Sequence, residues 1–277
     1  MSQQLRPAFD THTHVFRNDL PMVAGRRYTP LYSASPAMLI DRLDRHQVSG
    51  AVLVQPSFLG TDNSYMLDAL ANAPGRLRGV AVLAAETSAD DIHHIHAAGV
   101  RGHRFNLLGR DIETELGPEQ RDAWAANIAL FRDLDWHVEL HDRAHRLAPL
   151  MSWLVDSAVR VVIDHFGLPD PDRGRDDPDW RTLIERACSD GADVSFKISA
   201  PYRLGGVDAC ILARALIETV GPERLLWGSD WPWTQHEDSV GYRDLVSQYD
   251  AWIGGASDVA AALDANARRL FDFSDAL

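Results

Sequence analysis

Short runs rich in β-branched and apolar residues recur along the chain, with longer amphipathic stretches between most of them. That alternation limits the fold more than any other feature. The runs are Ala8–Val15, Gly50–Gln55, Gly79–Leu83, Val100–Asn106, His137–His141, Val161–His165, Val194–Ile198 and Leu225–Gly228. Helical periodicity marks Ser35–Arg45, Glu119–Leu134, Ala144–Val155, Pro178–Cys188 and Val207–Val220. Strands that are apolar nearly throughout are covered on both faces. Strand–helix alternation argues for parallel pairing through crossover connections. Eight such units predict an α/β fold, a (β/α)8 TIM barrel, as one domain over residues 1–277. Such barrels run to about 250 residues, so the length does not demand a second domain.

The breaks between runs carry turn chemistry. Ala73-Pro74-Gly75 stands before the third strand and Gly221-Pro222 before the eighth. Two long polar stretches, Arg17–Ala34 and Gly167–Asp179, read as loops after strands one and six, where functional loops of such barrels sit. The tail Ala256–Phe273 reads as a terminal helix packed on the outside.

Composition removes several classes of function. The formal charge of −13 lacks the basic face of a nucleic-acid binder. No apolar run approaches the ~18 residues of a membrane span, and the first residues lack the apolar stretch of a signal peptide. The two cysteines, Cys188 and Cys210, build neither a disulfide framework nor a zinc module, which fits a cytoplasmic protein. Of 27 basic residues only Lys197 is a lysine. A mechanism that needs a lysine must use it, and it stands as a substrate contact or as the partner of an acidic neighbour.

Polar residues gather where the strands end. Strand one runs into Asp10-Thr11-His12-Thr13-His14, strand four carries His103 and Arg104, and strand five ends at His141. Strand six ends at Asp164-His165 and strand eight at Asp230. In a barrel these ends converge on one mouth, where reaction sites lie. Positions i and i+2 share a strand face, so His12 and His14 project together. Imidazoles and a carboxylate in one mouth make a metal site or a proton-transfer site. The richer histidine cluster Asp91–His96 lies in a helical stretch away from the mouth and reads as solvated surface, as do His46 and His145.

The pieces FDTHTHVF, RYTP, LVQPSFLGTDN, GVRGHRFNLLGR, VVIDHFGLPD, SFKISAPYRL and LLWGSDWP, in that order, resemble the amidohydrolase superfamily. Within its amidohydrolase-2 branch they resemble the group of 2-pyrone-4,6-dicarboxylate hydrolases. The resemblance covers most of the chain and implies a distorted barrel of the amidohydrolase type. It implies a hydrolase that opens a small carboxylated lactone. Asp230 would activate water, while His12, His14 and His165 polarise the carbonyl and shuttle protons. Arg104, Arg110 and Arg203 would grip substrate carboxylates, and Tyr28 and the loop Ser57–Asn63 would line the pocket. Trp231 and Trp233 are expected near its wall, with bulk packing the stronger reading for Trp231.

That group carries an arginine, a histidine and a tyrosine where this chain has Leu168, Trp233 and His141, which implies a related lactone with a different charge pattern. Metal-dependent relatives use an equivalent of His12, His14, His141 and Asp230 as ligands. One zinc-like divalent ion and metal-free operation are therefore both implied. A zinc-dependent decarboxylase, a lactone isomerase and a non-enzymatic ligand-binding barrel are the alternatives. The expected partner is a small anionic lactone, with no nucleic acid and no membrane; a homo-oligomer is left open.

Overall fold

The structure, a computed structural model, describes residues 4–274. Its eight strands are β1 (Phe9–Thr13), β2 (Gly50–Val54), β3 (Leu77–Ala81), β4 (Val100–Asn106), β5 (His137–His141), β6 (Arg160–Ile163), β7 (Val194–Ser199) and β8 (Leu225–Gly228). They pair in parallel in sequence order. The sheet closes where β1 meets the exit of β8. There the Asp230 N–H donates to the His12 carbonyl at 2.9 Å, and the His14 N–H donates to the Trp231 carbonyl at 2.8 Å. A Cβ on Gly228 would come within 2.6 Å of the His12 Cβ, so only glycine lets these two segments approach.

The helices are α1 (Pro36–His46), α2 (Ser64–Asn72), α3 (Ala89–Ala97), α4 (Ile112–Leu116), α5 (Pro118–Asp133), α6 (Ala144–Leu147), α7 (Met151–Asp156), α8 (Pro178–Ala187), α9 (Ala209–Thr219), α10 (Tyr242–Trp252) and α11 (Ser257–Phe271). Side-chain caps set four of the starts. Ser35 accepts from the Met38 N–H, Ser88 from the Asp91 N–H, Asp177 from the Asp179 N–H and Asp208 from the Cys210 N–H. Pro36 and Pro178 occupy first-turn positions, where no donor is lost. The single helix expected over Ala144–Val155 is instead broken by a 3₁₀ turn at Ala148–Leu150, where Pro149 supplies no amide for the helical ladder.

Strand parity sorts the interior into two apolar clusters. Ala51, Leu53, Val138, Leu140, Val161 and Ile163 face the helices. Val52, Val54, Val80, Val162 and Leu226 face the lumen. Ala267, Leu270, Phe271 and Phe273 join the lumen cluster, and Phe273 stacks on Phe9 at 4.4 Å. The tail therefore does more than pack outside: its end plugs the base of the barrel. Arg78 fixes it there by donating to the carbonyls of Phe271 and Asp272. Each buried side chain of this size contributes roughly 1.5–3 kcal/mol relative to exposure.

Candidate active site

Above the plug the lumen turns polar. β1 contains an extra residue between Asp10 and Thr13 relative to β2. Such a bulge shifts side-chain parity: Phe9 joins the lumen cluster, whereas Asp10 accepts from the Tyr242 hydroxyl of α10. His12 and His14 then converge on Asp230. Asp10 also accepts from the Ser229 N–H at 2.9 Å, which ties β1 to the segment that carries Asp230.

Asp230 is the hub. Its Oδ1 lies 3.2 Å from His14 Nε2 and 3.6 Å from His12 Nε2. Its Oδ2 accepts from the Tyr202 hydroxyl at 2.6 Å and from Arg203 Nε at 2.8 Å. Burial would raise this carboxyl, but Arg203 and the hydrogen bond from His14 hold it well below the usual carboxylate range. The His12 ring packs 5.0 Å from His14 and 4.8 Å from His165, and His165 packs 4.9 Å from His141. Burial pushes His12 and His165 down to about 3 and His141 well below its ordinary value. All three rings are neutral near pH 7. Asp230 and His165 both have left-handed backbone (φ 56° and 50°), a conformation that costs about 1–3 kcal/mol and that persists where surrounding structure imposes it.

Beneath them lies an ionic floor. Glu139 from β5, Asp164 after β6, Lys197 from β7 and Arg104 from β4 are all buried. Arg104 donates to Asp164 Oδ2 at 3.0 and 2.7 Å and lies 3.2 Å from Glu139 Oε1. Lys197 donates to Glu139. Unpaired charges at this depth would be very costly, so the four must form a matched set.

A cavity of about 140 Å³ opens above the floor. His14, His141, His165, Asp230, Arg27, Arg104 and Arg203 line it, with Tyr28, Ser57 and Asn106. Burial and the positive charges of Arg104, Arg110 and Arg203 pull Arg27 below the ordinary guanidinium value. Such a concentration of guanidinium groups suits an anion.

Of the residues singled out in the sequence, His14, His141, His165, Asp230, Arg104, Arg203, Tyr28 and Ser57 line this cavity, with His12 directly beside Asp230. Other expected residues lie elsewhere. Arg110 pairs with Glu115 at 2.9 Å and borders neighbouring grooves. Asn63 donates to the carbonyls of Thr61 and Val82 and accepts from the Val82 N–H, so its amide is consumed by backbone. His103 points away from the lumen, between Phe105, Trp124 and Phe131, because it alternates with Arg104 along β4. Leu168, Trp231 and Trp233 are buried outside the cavity wall, with Arg42 stacked over both tryptophans.

Within the histidine cluster Asp91–His96, His93 and His94 are exposed, while His96 accepts from the Trp136 indole. Sequence reasoning passed over Arg27, Asn106, Tyr202 and Glu139. Arg27 is the first residue of the RYTP motif, and Glu139 stands two residues before His141, so strand parity held a signal for it.

Among the described residues three groups place potential metal-ligand atoms within 4.8 Å of one another: His12, His165 and Asp230; His141, Asp164 and His165; and His12, Glu139 and Asp164. His14 belongs to none of these, and His141 shares none with Asp230. Both ring nitrogens of His141 lack a protein partner. No helix is long and apolar enough to cross a membrane among the described residues.

Known proteins match this arrangement over nearly the whole chain. The amidohydrolase family model covers residues 9–273. A 2-pyrone-4,6-dicarboxylate hydrolase of Comamonas testosteroni is 33% identical over 271 residues, spanning 92% of this chain and 87% of that one. A 4-sulfomuconolactone hydrolase of Hydrogenophaga intermedia is 30% identical over 247 residues, spanning 83% and 76%. The crystal structure of a probable 2-pyrone-4,6-dicarboxylic acid hydrolase from Acinetobacter baumannii with citric acid bound superposes with a TM-score of 0.88 at 34% identity, covering 97% of this chain and 100% of that one. By sequence and by fold, the chain belongs to the amidohydrolase family.

Proposed function

We propose that the protein hydrolyses a small lactone bearing carboxylate or sulfonate groups. One observation carries this reading. A single buried carboxylate, Asp230, meets histidines through one oxygen and Arg203 with Tyr202 through the other, within a cavity that also holds Arg27 and Arg104. The relatives named above act on lactones carrying carboxylate or sulfonate groups, which supports the same substrate class.

In the proposed reaction Arg27 and Arg203 take the anionic groups of the lactone in charge-assisted hydrogen bonds. His12 and His165 donate to the ring carbonyl. Asp230 takes a proton as water adds to the carbonyl carbon, and the ring C–O bond then breaks with that proton returned to the leaving oxygen. A substrate anion on Arg203 draws that guanidinium away from Asp230, which restores basicity when the substrate is present.

His12, His165 and Asp230 would hold a divalent ion only with a hydrogen on His12 Nδ1, because metal-ligating histidines donate their second nitrogen to a carboxylate, carbonyl or water. Asp164 lies 3.1 Å from that nitrogen as such an acceptor, but the Lys197 ammonium at 3.0 Å competes for it as a donor and, where it donates, denies the fit. No step above passes through a metal.

The test is an assay of 2-pyrone-4,6-dicarboxylate, a sulfonated muconolactone and an uncharged lactone with wild type and Asp230→Asn. The expected result is turnover of an anionic member, lowered about 10²–10⁴-fold in the variant. Undiminished turnover by the variant, or decarboxylation or isomerisation in place of ring hydrolysis, would remove the reading.

A further inference from the structure

Lys197 is the chain's single lysine, and the reaction above gives it no direct contact with substrate. It projects from β7 into the lumen and is fully buried. Its Nζ donates to Glu139 Oε2, lies 3.5 Å from Asp164 Oδ1 and stands 3.0 Å from His12 Nδ1. An ammonium has three donors and no acceptor. A bond from it to His12 requires Nδ1 to carry the lone pair and Nε2 the ring hydrogen.

A competitor approaches the same atom. Asp164 Oδ1 lies 3.1 Å from His12 Nδ1, and a carboxylate there would call for a hydrogen on it. That oxygen has no aligned hydrogen-bond partner, and Arg104 already serves Asp164 through Oδ2. The geometry therefore favours lysine as donor over Asp164 as acceptor. On the far side of the ring, Nε2 has no protein hydrogen-bond partner and stands 3.6 Å from Asp230.

We propose that Lys197 is a positioning residue which, by donating to Nδ1, fixes His12 as an Nε2–H donor beside Asp230 and denies that nitrogen to a divalent cation. The proposal deepens the lactonase reading and rests on it only for the identity of the acceptor, the lactone carbonyl. The outcome of losing the lysine follows from the neighbours. In Lys197→Met, Arg104 still faces Glu139 and Asp164, and Nδ1 is left to Asp164 alone. The ring then adopts the Nδ1–H tautomer, and the Nε2 lone pair turns toward His165 and Asp230. Those three already lie within 4.8 Å of one another. Two imidazoles and a carboxylate with an open position suit zinc.

Nitrogen NMR of protein labelled with ¹⁵N-histidine reads the tautomer directly and without substrate, with His12→Gln assigning the resonance. Wild type is expected as the neutral Nε2–H tautomer from about pH 6 to about pH 8, the range in which an unperturbed histidine would titrate. A wild-type ring protonated on Nδ1, or on both nitrogens, overturns the proposal. Lys197→Met is then exposed to zinc alone and dialysed. It is expected to show the flipped tautomer, retain at least about tenfold more zinc than wild type, and lose about 10–100-fold in kcat at little-changed KM, as when an outer group orienting a histidine is removed. A folded variant with the wild-type tautomer and wild-type zinc content contradicts the proposal. Should the variant not fold, the wild-type spectrum decides alone. An Nε2–H ring in a protein that opens no lactone would sink the lactonase reading and leave the tautomer assignment standing.

Discussion

The two ends of the barrel lumen are equally buried and chemically opposite. The base is filled by Phe9, Val52, Val80, Leu226, Phe271 and Phe273. The mouth is floored by Arg104, Glu139, Asp164 and Lys197 and walled by His14, His165 and Asp230. Apolar packing at the base asks for volume and tolerates shape changes that conserve it. The ionic floor asks for matched charge, because removing one partner strands another where water cannot reach it. The same fold thus separates a zone that holds the molecule together from a zone that holds side chains in a costly arrangement for chemistry.

Acid is expected to separate the zones most strongly. Burial holds His12, His103 and His165 at about 3, against an ordinary value of 6.5. Between those values the unfolded chain binds protons that the native state does not. Their contribution is complete above about pH 6.5 and is lost as pH falls toward 3. Asp10 and Asp264, raised to about 6 by burial, act in the opposite sense between 3.8 and 6. Three histidines outweigh two carboxylates, so Tm should fall by many degrees from pH 8 to pH 4. A Tm that rises on acidification would break the assignment of neutral buried histidines.

Single substitutions sharpen the contrast. Asp164→Asn should cost about 3–5 kcal/mol in denaturant unfolding by leaving Arg104 and Lys197 with Glu139 as their one shared carboxylate, and it should abolish turnover as well. At the base, Phe271→Ala should cost a similar 3–5 kcal/mol, but the folded fraction should keep its kcat. Phe271→Leu should cost under about 1.5 kcal/mol. Equal tolerance of Asp164→Asn and Phe271→Leu would erase the distinction between the zones. Arg203→Met is expected to raise KM for an anionic lactone roughly 10–100-fold, the worth of a hydrogen bond to a charged group, while KM for an uncharged lactone changes little. Outside both zones, His93→Ala on the exposed face of α3 should stay within about 0.5 kcal/mol of wild type and leave activity intact.

The alternation of runs revealed the eight strands and the barrel, because a parallel strand buried on both faces leaves a continuous apolar trace. The convergence of His12, His14, His165 and Asp230 was readable for the same reason: strand ends share a mouth. Four features were not. Which of His103 and Arg104 faces inward depends on the register of β4, and two adjacent residues look alike in sequence. The β1 bulge, which sets the facing of His12 and His14, has no composition signal. Glu139, Asp164 and Lys197 are spread over a separation of 58 positions and become one floor only when the sheet closes. Arg27 lies in a long loop whose path is fixed by tertiary contacts, such as its bond to Asn106.

The most direct measurement is a crystal structure of Asp230→Asn holding an uncleaved carboxylated lactone. The ring carbonyl is expected within hydrogen-bond reach of His12 and His165, with an anionic group on Arg27 or Arg203 and a water or its vacancy beside residue 230. A lactone bound in another groove, or seated in the mouth with its carbonyl turned away from both histidines, would contradict the proposed ring opening.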